Sequence, residues 1–274
     1  MMVNIMEVED KGLEFREVLE KVYRERGFDF RQYKEASLRR RMQKRLYALK
    51  AESYQDYIMR LDADSLEYDR LIDVLLINVT EFFRDEEAFE IIKNKVLPYI
   101  IKGKTKLKIG SSGCASGEEV YSIAILLDEA LGDKRDSFEI SIYGTDIDRD
   151  SLTKAKEGIY RPQTVKGKMT DEILEKYFDK GETLKVKDSI KKNCHFMVHD
   201  LVLDKPLSEM DLILCRNVLI YFEKPLQEKI YMDFYHALNS EGYLFLGKAE
   251  SLIGPARERF SVIDKRWKIY QKED

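Results

Sequence analysis

The chain has 274 residues, of which 44% are hydrophobic and 36% charged, and its formal net charge at pH 7 is −4. This composition excludes an intrinsically disordered protein, and the length favours a second, smaller domain or a large insertion beside the main one. No run of eighteen apolar residues and no secretory leader pattern is found, which predicts a cytoplasmic protein.

Residues up to about 80 are predicted to form only helices, in a small bundle. The predicted helices are FREVLEKVYRERG, KEASLRRRMQKRLYAL, SYQDYIMRL and SLEYDRLIDVLLIN. In the second helix, four apolar residues repeat at helical spacing and are expected to face a core: Leu38, Met42, Leu46 and Leu49. The basic residues Arg40, Arg41 and Lys44 are expected to point away from that core.

From about residue 81 to 274, short apolar runs alternate with helical patterns. The predicted strands are KLKIGSS, FEISIYGTDID, CHFMVHDL, MDLILCRNVLIYF, which runs into a loop, and YLFLGKAES, followed by a final pair around RFSVI and WKIYQK. This alternation predicts an α/β fold with a doubly wound, Rossmann-like, mostly parallel sheet that is covered on both faces. The final pair is expected at one antiparallel edge.

The rhythm breaks between residues 160 and 193. Here KYF, TLKVKD and SIKKN are predicted to form short strands, separated by Gly181 and polar turns. We therefore expect an inserted antiparallel β subdomain within the second domain.

A glycine-rich turn follows the first strand of the second domain. The segment GSSGCASGEE lacks the GxGxxG spacing of dinucleotide sites, although glycines here allow a ligand to approach the backbone. The next strand ends in GTDID, and Asp146 in this segment is placed where an acid can accept hydrogen bonds from both hydroxyls of a ribose. Asp148 is predicted to cap the following helix. Together these features favour an adenosine-containing ligand, without identifying it.

The three cysteines of the chain are odd in number and widely separated, so we expect reduced thiols and no disulfide framework. His195 and His199, beside Cys194, have a spacing that a metal site can use. The stretch CHFMVH is typical of a strand, however, and has no third ligand cluster nearby in the sequence. We therefore expect no metal.

Several segments resemble the chemoreceptor glutamate methyltransferase family, CheR. They are YKEASLRRRMQKRL, NVTEFFR, GCASGEEVYS, GTDID, KAKEGIYR and CRNVLIYF, and they occur in the family's order over nearly the whole chain. The resemblance implies a class I methyltransferase that transfers a methyl group from S-adenosylmethionine to glutamate side chains of methyl-accepting chemotaxis receptors. It also implies S-adenosylhomocysteine as product and recruitment to membrane-bound receptor arrays.

The resemblance also implies the site residues. Those expected to border the cofactor are Asn78, Thr80, Arg84, Ser112, Gly113, Glu119, Asp146, Asp200, Leu201, Arg216, Asn217 and Tyr221. Arg84 and Tyr221 are the expected catalytic residues, and Glu119 is expected to meet the methionine ammonium group. The simpler alternatives are that Arg84 pairs with a nearby helix acid and that Tyr221 is a packed aromatic.

The sequence departs from the family pattern at three positions: Gly110 replaces a usual aromatic, Val120 a common proline and Asp200 a common asparagine. Asp200 is expected to accept a hydrogen bond from the adenine amino group, but it cannot donate as an asparagine amide can.

A basic cluster in the second helix comprises Arg39, Arg40, Arg41, Lys44 and Arg45. From composition alone it is a solvated face, a nucleic-acid site or a surface for an acidic helix. Nucleic acid is disfavoured because the chain is acidic overall and has no aromatic stacking pattern near the cluster. The resemblance implies docking on the helical methylation region of a receptor.

The short loop sequence DKGETLKV in the β insertion is typical of the branch that does not bind a receptor's C-terminal pentapeptide. Two functional alternatives stay open at this level. One is a noncatalytic S-adenosylmethionine-binding scaffold, and the other is a methyltransferase for a different substrate.

Overall fold

The structure is a computed structural model that describes residues 3–165 and 167–273, with side chains from residue 12 onward. Its contacts divide the chain into a helical unit and an α/β unit. The helical unit contains the chain up to Ile77 together with Tyr221–Leu226, and the α/β unit contains Asn78–Ile220 and the chain from Gln227 onward.

The helical unit is built from α1 Val3–Arg26, α2 Glu35–Leu49, α3 Tyr54–Ala63 and α4 Leu66–Leu75. Ser53 caps α3 because its side chain accepts a hydrogen bond from the backbone N–H of Asp56. The apolar faces of the helices meet in one core, which includes Phe15, Val18, Leu38, Met42, Tyr57, Leu61, Leu71 and Leu75. The predicted all-helical N-terminal region is confirmed.

One expectation for α2 is wrong. Arg41 does not point away from the core, since it is only 8% exposed. It donates hydrogen bonds to the carbonyl oxygen of Leu75 and to the hydroxyl of Ser37. The reason is helical geometry: Arg41 lies three residues after the buried Leu38, and residues three apart share a helix face.

The α/β unit contains the remaining elements. Its helices are α5 Glu86–Ile91, α6 Leu97–Ile101, α7 Glu118–Leu131, α8 Arg149–Glu157, α9 Asp171–Tyr177, α10 Asp188–Lys191 and α11 Lys224–Ala237, which starts in the segment assigned to the helical unit. Its strands are β1 Lys106–Ser112, β2 Glu139–Asp146, β3 Ile159–Tyr160, β4 Phe178–Lys180, β5 Leu184–Val186, β6 Cys194–Val198, β7 Met210–Cys215, β8 Leu238–Leu246, β9 Phe260–Asp264 and β10 Ile269–Lys272.

Within the described residues, a seven-stranded sheet has the order β6-β2-β1-β7-β8-β10-β9. The first five of these strands are parallel, whereas β10 pairs antiparallel with both β8 and β9. Every residue of the central strand β7 is buried, as expected for a parallel strand packed on both faces. The predicted α/β sheet with an antiparallel edge is confirmed.

The inserted segment forms a separate small antiparallel sheet of order β3-β5-β4. One detail of its prediction is wrong: the SIKKN segment belongs to the short helix α10, not to a strand. The backbone N–H groups of Ile190 and Lys191 donate to the carbonyl of Lys187, which closes a helical turn there.

Among the helices of the described ranges, none combines the length and apolar character that a membrane crossing requires. The same ranges contain no group of three or more His, Cys, Asp or Glu side chains arranged to hold a metal ion.

Candidate cofactor site

The candidate site lies at the carboxyl edge of the large sheet. Because β6, β2, β1 and β7 are adjacent and parallel, their carboxyl ends meet at one edge. Ser112 ends β1 and Asp146 ends β2, while Arg216 and Asn217 follow β7 directly. The fold therefore brings together residues that are more than a hundred positions apart in the chain.

The turn after β1 lies close to the end of β2 and to the loop after β7. The N–H of Gly113 donates to the carbonyl of Thr145 at 2.8 Å, and Gly113 has a φ of +72°. A Cβ at this position would lie 2.4 Å from Cγ2 of Val218, in the loop after β7. Only glycine fits both the backbone conformation and the space.

The carboxylate of Asp146 is oriented by two backbone donors. One oxygen accepts the N–H of Ala115 at 2.8 Å and the other accepts the N–H of Asp148 at 3.0 Å. Asp146 is 9% exposed, and burial raises its pKa although these donors oppose the rise. Each oxygen retains a lone pair, so the carboxylate can still accept hydrogen bonds from a ligand.

Glu119 lies in the first turn of α7 and is held by two side chains. The hydroxyl of Ser111 donates to it at 2.8 Å, and Nη1 of Arg216 lies 3.3 Å from its other oxygen. The Arg216 side chain is 2% exposed and stacks over the Phe245 ring at 4.4 Å. Arg216 is thus a buried residue that orients Glu119.

Arg216 also fixes the segment that carries Arg84. Its Nη2 donates to the carbonyl of Arg84 at 3.0 Å and to the carboxylate of Asp85 at 2.5 Å. The Arg84 side chain donates to the carbonyl of Val79 at 3.3 Å and has no ion pair within the described part of the chain. The simpler alternative, pairing of Arg84 with a nearby acid, is therefore not observed.

Asn78, at the start of the same segment, donates through its amide to the carboxylate of Asp148. That carboxylate also accepts the N–H groups of Asp150 and Ser151. The predicted helix-capping role of Asp148 is confirmed. Asn78 is therefore hydrogen-bonded to the N-cap residue of α8.

Asp200 and Leu201 follow β6. One carboxylate oxygen of Asp200 accepts the N–H of Val202 at 2.7 Å, so this carboxylate stabilises its own turn. Leu201 lines a small cavity together with Gly110 and Ser112. His199, in the same cavity lining, donates from Nε2 to the carbonyl of Lys205 at 3.0 Å, whereas its buried Nδ1 has no partner among the described residues.

Tyr221 belongs by its contacts to the helical unit. Its carbonyl accepts the N–H of Lys34 at 2.8 Å, and the guanidinium of Arg41 lies 4.8 Å from its ring centroid. No sequence pattern predicts this pairing of Tyr221 with Arg41.

The residues of the basic cluster of α2 differ in whether they form ion pairs. Arg45 forms an ion pair with the buried carboxylate of Glu67, and Arg39 donates to Glu35 at 2.6 Å. Arg40 and Lys44 are exposed and have no ion pair with any residue that the structure describes.

Sequence reasoning missed one buried acid of the site, Glu250. Its carboxylate accepts the backbone N–H groups of Asn217, Val218 and Leu219. The available signal was its position: Glu250 follows the end of β8, a strand parallel to and adjacent to β7.

The hydrogen-bond acceptors at this edge fit S-adenosylmethionine. The side-chain oxygen of Asn217 is buried and has no hydrogen-bond partner among residues 3–165 and 167–273. Together with the carboxylates of Asp146 and Glu119 it forms a set of acceptors, which matches the donors that ribose hydroxyls and an amino-acid ammonium group provide.

Two family models match the chain, one after the other. The model of the CheR methyltransferase all-alpha domain matches residues 13–76, and that of the CheR methyltransferase SAM-binding domain matches residues 78–269. The chain belongs to the CheR methyltransferase family. The resemblance found in the sequence is confirmed, and the chain carries the S-adenosylmethionine-binding fold of these methyltransferases.

Relatives of similar length support this assignment. The chain is 31% identical to a chemotaxis protein methyltransferase of Listeria innocua, over 86% of this chain and 88% of that protein. It is 30% identical to the chemotaxis protein methyltransferase of Klebsiella aerogenes, over 89% of this chain and 85% of that protein. Chemotaxis protein methyltransferase 1 of Pseudomonas aeruginosa is 37% identical, over 67% of this chain and 70% of its own length.

Proposed function

We propose that this CheR-family protein methylates glutamate side chains of methyl-accepting chemotaxis receptors during sensory adaptation. The observation that carries the proposal is the set of hydrogen-bond acceptors at the carboxyl edge of the sheet: the buried carboxylate of Asp146, the buried amide oxygen of Asn217 and the partly exposed carboxylate of Glu119. Its chemotaxis context is supported by the names of the relatives.

Three residue roles follow for the cofactor. Asp146 would accept from the ribose hydroxyls through the lone pairs that its backbone donors leave free. Glu119 would accept from the methionine ammonium group, in the orientation that Ser111 and Arg216 impose. Asn217 would add a third acceptor through its unpartnered oxygen.

The remaining cofactor assignments rest on the family resemblance. Ser112 and Gly113 would lie along the cofactor, Leu201 beside the adenine, and Thr80 at its border. Asp200 would accept a hydrogen bond from the adenine amino group through its carboxylate.

The chemistry suits a carboxylate nucleophile. S-adenosylmethionine, when bound, supplies an electrophilic methyl group on a positively charged sulfur. A glutamate side chain with a pKa of roughly 4.3 is already ionised at neutral pH, so the protein needs no general base. The two opposite charges disappear in the reaction, which water would oppose by solvating them. Positioning and exclusion of water are therefore the protein's main contributions.

Arg84 and Tyr221 are proposed to do this positioning. The Arg84 guanidinium is not neutralised by an acid of the described residues, so its charge is available to orient a carboxylate. It must not hold the nucleophile too tightly, because stabilising the ground state would slow transfer. Tyr221 is assigned by the resemblance to the neighbourhood of the transferred methyl group.

We further propose that the helical region, up to about residue 80, recognises the receptor and that residues 81–274 catalyse transfer. Arg40 and Lys44 lie one helical turn apart on the exposed side of α2, followed by Tyr47, which is 87% exposed. Two positive charges beside an exposed aromatic suit the glutamate-bearing helices of a receptor.

Tethering to a receptor pentapeptide is not part of the proposal. The hairpin between β4 and β5 contains only residues 181–183, and the N–H of Gly181 bonds to the carbonyl of Thr183 at 3.0 Å. Such a tight turn offers little loop for an additional contact. Calorimetry with the pentapeptide should detect no binding, and tight binding would contradict this assignment.

Incubation with methyl-labelled S-adenosylmethionine and host membranes tests the proposed function. Labelled receptor bands should lose their label as methanol in mild base, because carboxyl methyl esters hydrolyse and N-methyl groups do not. The Asp146→Asn variant should label weakly, and the exposed control Asp150→Asn should label normally. Base-stable label would indicate a different substrate, and cofactor binding without label would indicate a noncatalytic scaffold.

A further inference from the structure

Glu250 is a buried carboxylate, 3% exposed, that accepts hydrogen bonds from four backbone N–H groups. One oxygen accepts from Asn217 at 2.9 Å and from Gly247 at 2.6 Å. The other accepts from Val218 at 3.0 Å and from Leu219 at 2.7 Å. Three of these donors are consecutive, and consecutive N–H groups form a concave site for an anion, which the protein here fills with its own carboxylate.

The space around the Glu250 carboxylate leaves no room for a larger residue at position 247. A Cβ on Gly247 would lie 2.6 Å from both the backbone nitrogen of Asn217 and the carboxylate of Glu250. Asn217 itself has a φ of 61°, a conformation that asparagine tolerates better than most residues. The loop is therefore held in an uncommon conformation by a specific set of hydrogen bonds.

Asn217 is held through its backbone but not through its side-chain oxygen. Its backbone N–H is committed to Glu250, whereas its side-chain oxygen is buried and has no partner in the described chain. A buried acceptor without a partner costs free energy, so its retention indicates a ligand that supplies the missing donor.

We propose that Glu250 is a positioning residue of the cofactor site, which fixes the backbone of residues 217–219 so that the Asn217 oxygen is presented to the cofactor. This inference rests on the proposed function, since the donor is that of S-adenosylmethionine. Glu250 acts through Asn217 and does not itself touch the cofactor.

Glu250 satisfies the four donors because both of its carboxylate oxygens are acceptors. Glutamine keeps one oxygen, but its amide group carries two donors, which would face at least two of the backbone N–H groups. Glutamine is nearly the same size as glutamate. The Glu250→Gln variant therefore keeps the packing but cannot satisfy all four donors.

The test compares wild type, Glu250→Gln and the exposed control Glu258→Gln by calorimetry with S-adenosylhomocysteine. Glu250→Gln should weaken binding about tenfold or more, equivalent to losing a well-formed hydrogen bond, while the control binds normally. Amide exchange of residues 217–219 should accelerate in Glu250→Gln, while exchange in the β7 and β8 cores stays slow.

A double-mutant cycle with Asn217→Ala separates positioning from general destabilisation. If Glu250 acts through Asn217, the double variant should bind S-adenosylhomocysteine with about the affinity of whichever single variant binds it less tightly. Additive losses, or native affinity in Glu250→Gln, would overturn the inference while leaving the proposed function intact. A wild-type protein that binds no S-adenosylhomocysteine would overturn both.

If Glu250→Gln does not fold, the wild type still provides a test. The amides of Asn217, Val218 and Leu219 should already be protected in the free protein and gain little protection when S-adenosylhomocysteine binds. Rapid exchange in the free protein would show that Glu250 does not fix the loop.

Discussion

The guanidinium of Arg41 donates a hydrogen bond to the backbone carbonyl of Leu75, the last residue of α4. The final carbonyls of a helix have no partner within the helix, so a buried arginine here caps α4. Burial lowers the pKa of Arg41, in keeping with a group enclosed by the helical core. The basic cluster of α2 therefore contains residues with a structural role beside residues that face solvent.

This division predicts different effects of substitutions in one helix. Arg40→Ala with Lys44→Ala should raise the receptor KM and weaken its dependence on salt, without changing cofactor affinity, because only exposed charge is lost. Arg41→Ala should instead lower the free energy of unfolding by about 2 kcal/mol, because it leaves a buried carbonyl unsatisfied. Receptor kinetics at several salt concentrations and denaturant unfolding measure the two effects.

A matched control for the receptor effect is Lys154→Ala with Lys156→Ala, which removes two exposed charges from α8. This control should keep the native receptor KM. If the Arg40 and Lys44 double variant binds receptor like the wild type at low salt, α2 is not the docking surface.

Tyr221→Phe should reduce kcat about tenfold or more and leave the KM for S-adenosylmethionine nearly unchanged. The substitution removes the hydroxyl proposed to orient the reacting groups, but keeps the ring that lies beside Arg41. Steady-state kinetics with the receptor substrate provide the measurement. An unchanged kcat would remove the Tyr221 hydroxyl from the mechanism.

Glu118→Gln should stabilise the protein at neutral pH. Burial raises the pKa of Glu118, and the Ser116 hydroxyl, its hydrogen-bond donor, opposes that rise only in part. The folded state therefore binds the proton more tightly than the unfolded state, and this contribution to stability is lost as pH rises through the raised pKa. Glutamine avoids the cost of burying a charge.

The measurement is thermal unfolding as a function of pH. The advantage of Glu118→Gln should be present above the raised pKa and disappear below the ordinary glutamate value. Equal Tm values for both proteins at neutral pH would contradict the cause assigned to the shift.

Gly110, within β1, and Gly113, in the turn after β1, should respond oppositely to alanine. A Cβ on Gly110 would make ordinary contacts, the nearest being 3.7 Å from Sδ of Met210, beside a cavity of about 30 Å³. Gly110→Ala should stabilise by about 0.5 kcal/mol, mainly by restricting the unfolded chain. Gly113→Ala should destabilise by about 2 kcal/mol because of its positive φ and the contact with Val218. Denaturant unfolding measures the stability of the two variants. Equal effects on the free energy of unfolding would contradict the contrast drawn between Gly110 and Gly113.

Periodicity was sufficient to predict the large elements. The alternation of strands and helices predicts the α/β sheet, and the position of Asp146 at the end of β2 predicts a ribose ligand independently of the family resemblance. Periodicity failed for Arg41, because a charged residue at i+3 from Leu38 shares its face and can be buried when a carbonyl such as that of Leu75 accepts its hydrogen bonds.

Glu250 shows a different limit. Its four donors come from residues 217–219 and 247, and a sequence does not reveal which backbone N–H groups converge. The short helix α10 was missed because four residues are too few to establish a period.

The most direct test of the proposed function is the chemical location of the transferred methyl group. A purified cytoplasmic receptor fragment should be incubated with the protein and isotopically labelled S-adenosylmethionine, then digested and examined by tandem mass spectrometry. We predict the label on glutamate side chains, as methyl esters that mild base removes. Label on another residue type, or none despite measurable binding of S-adenosylhomocysteine, would contradict glutamate methylation.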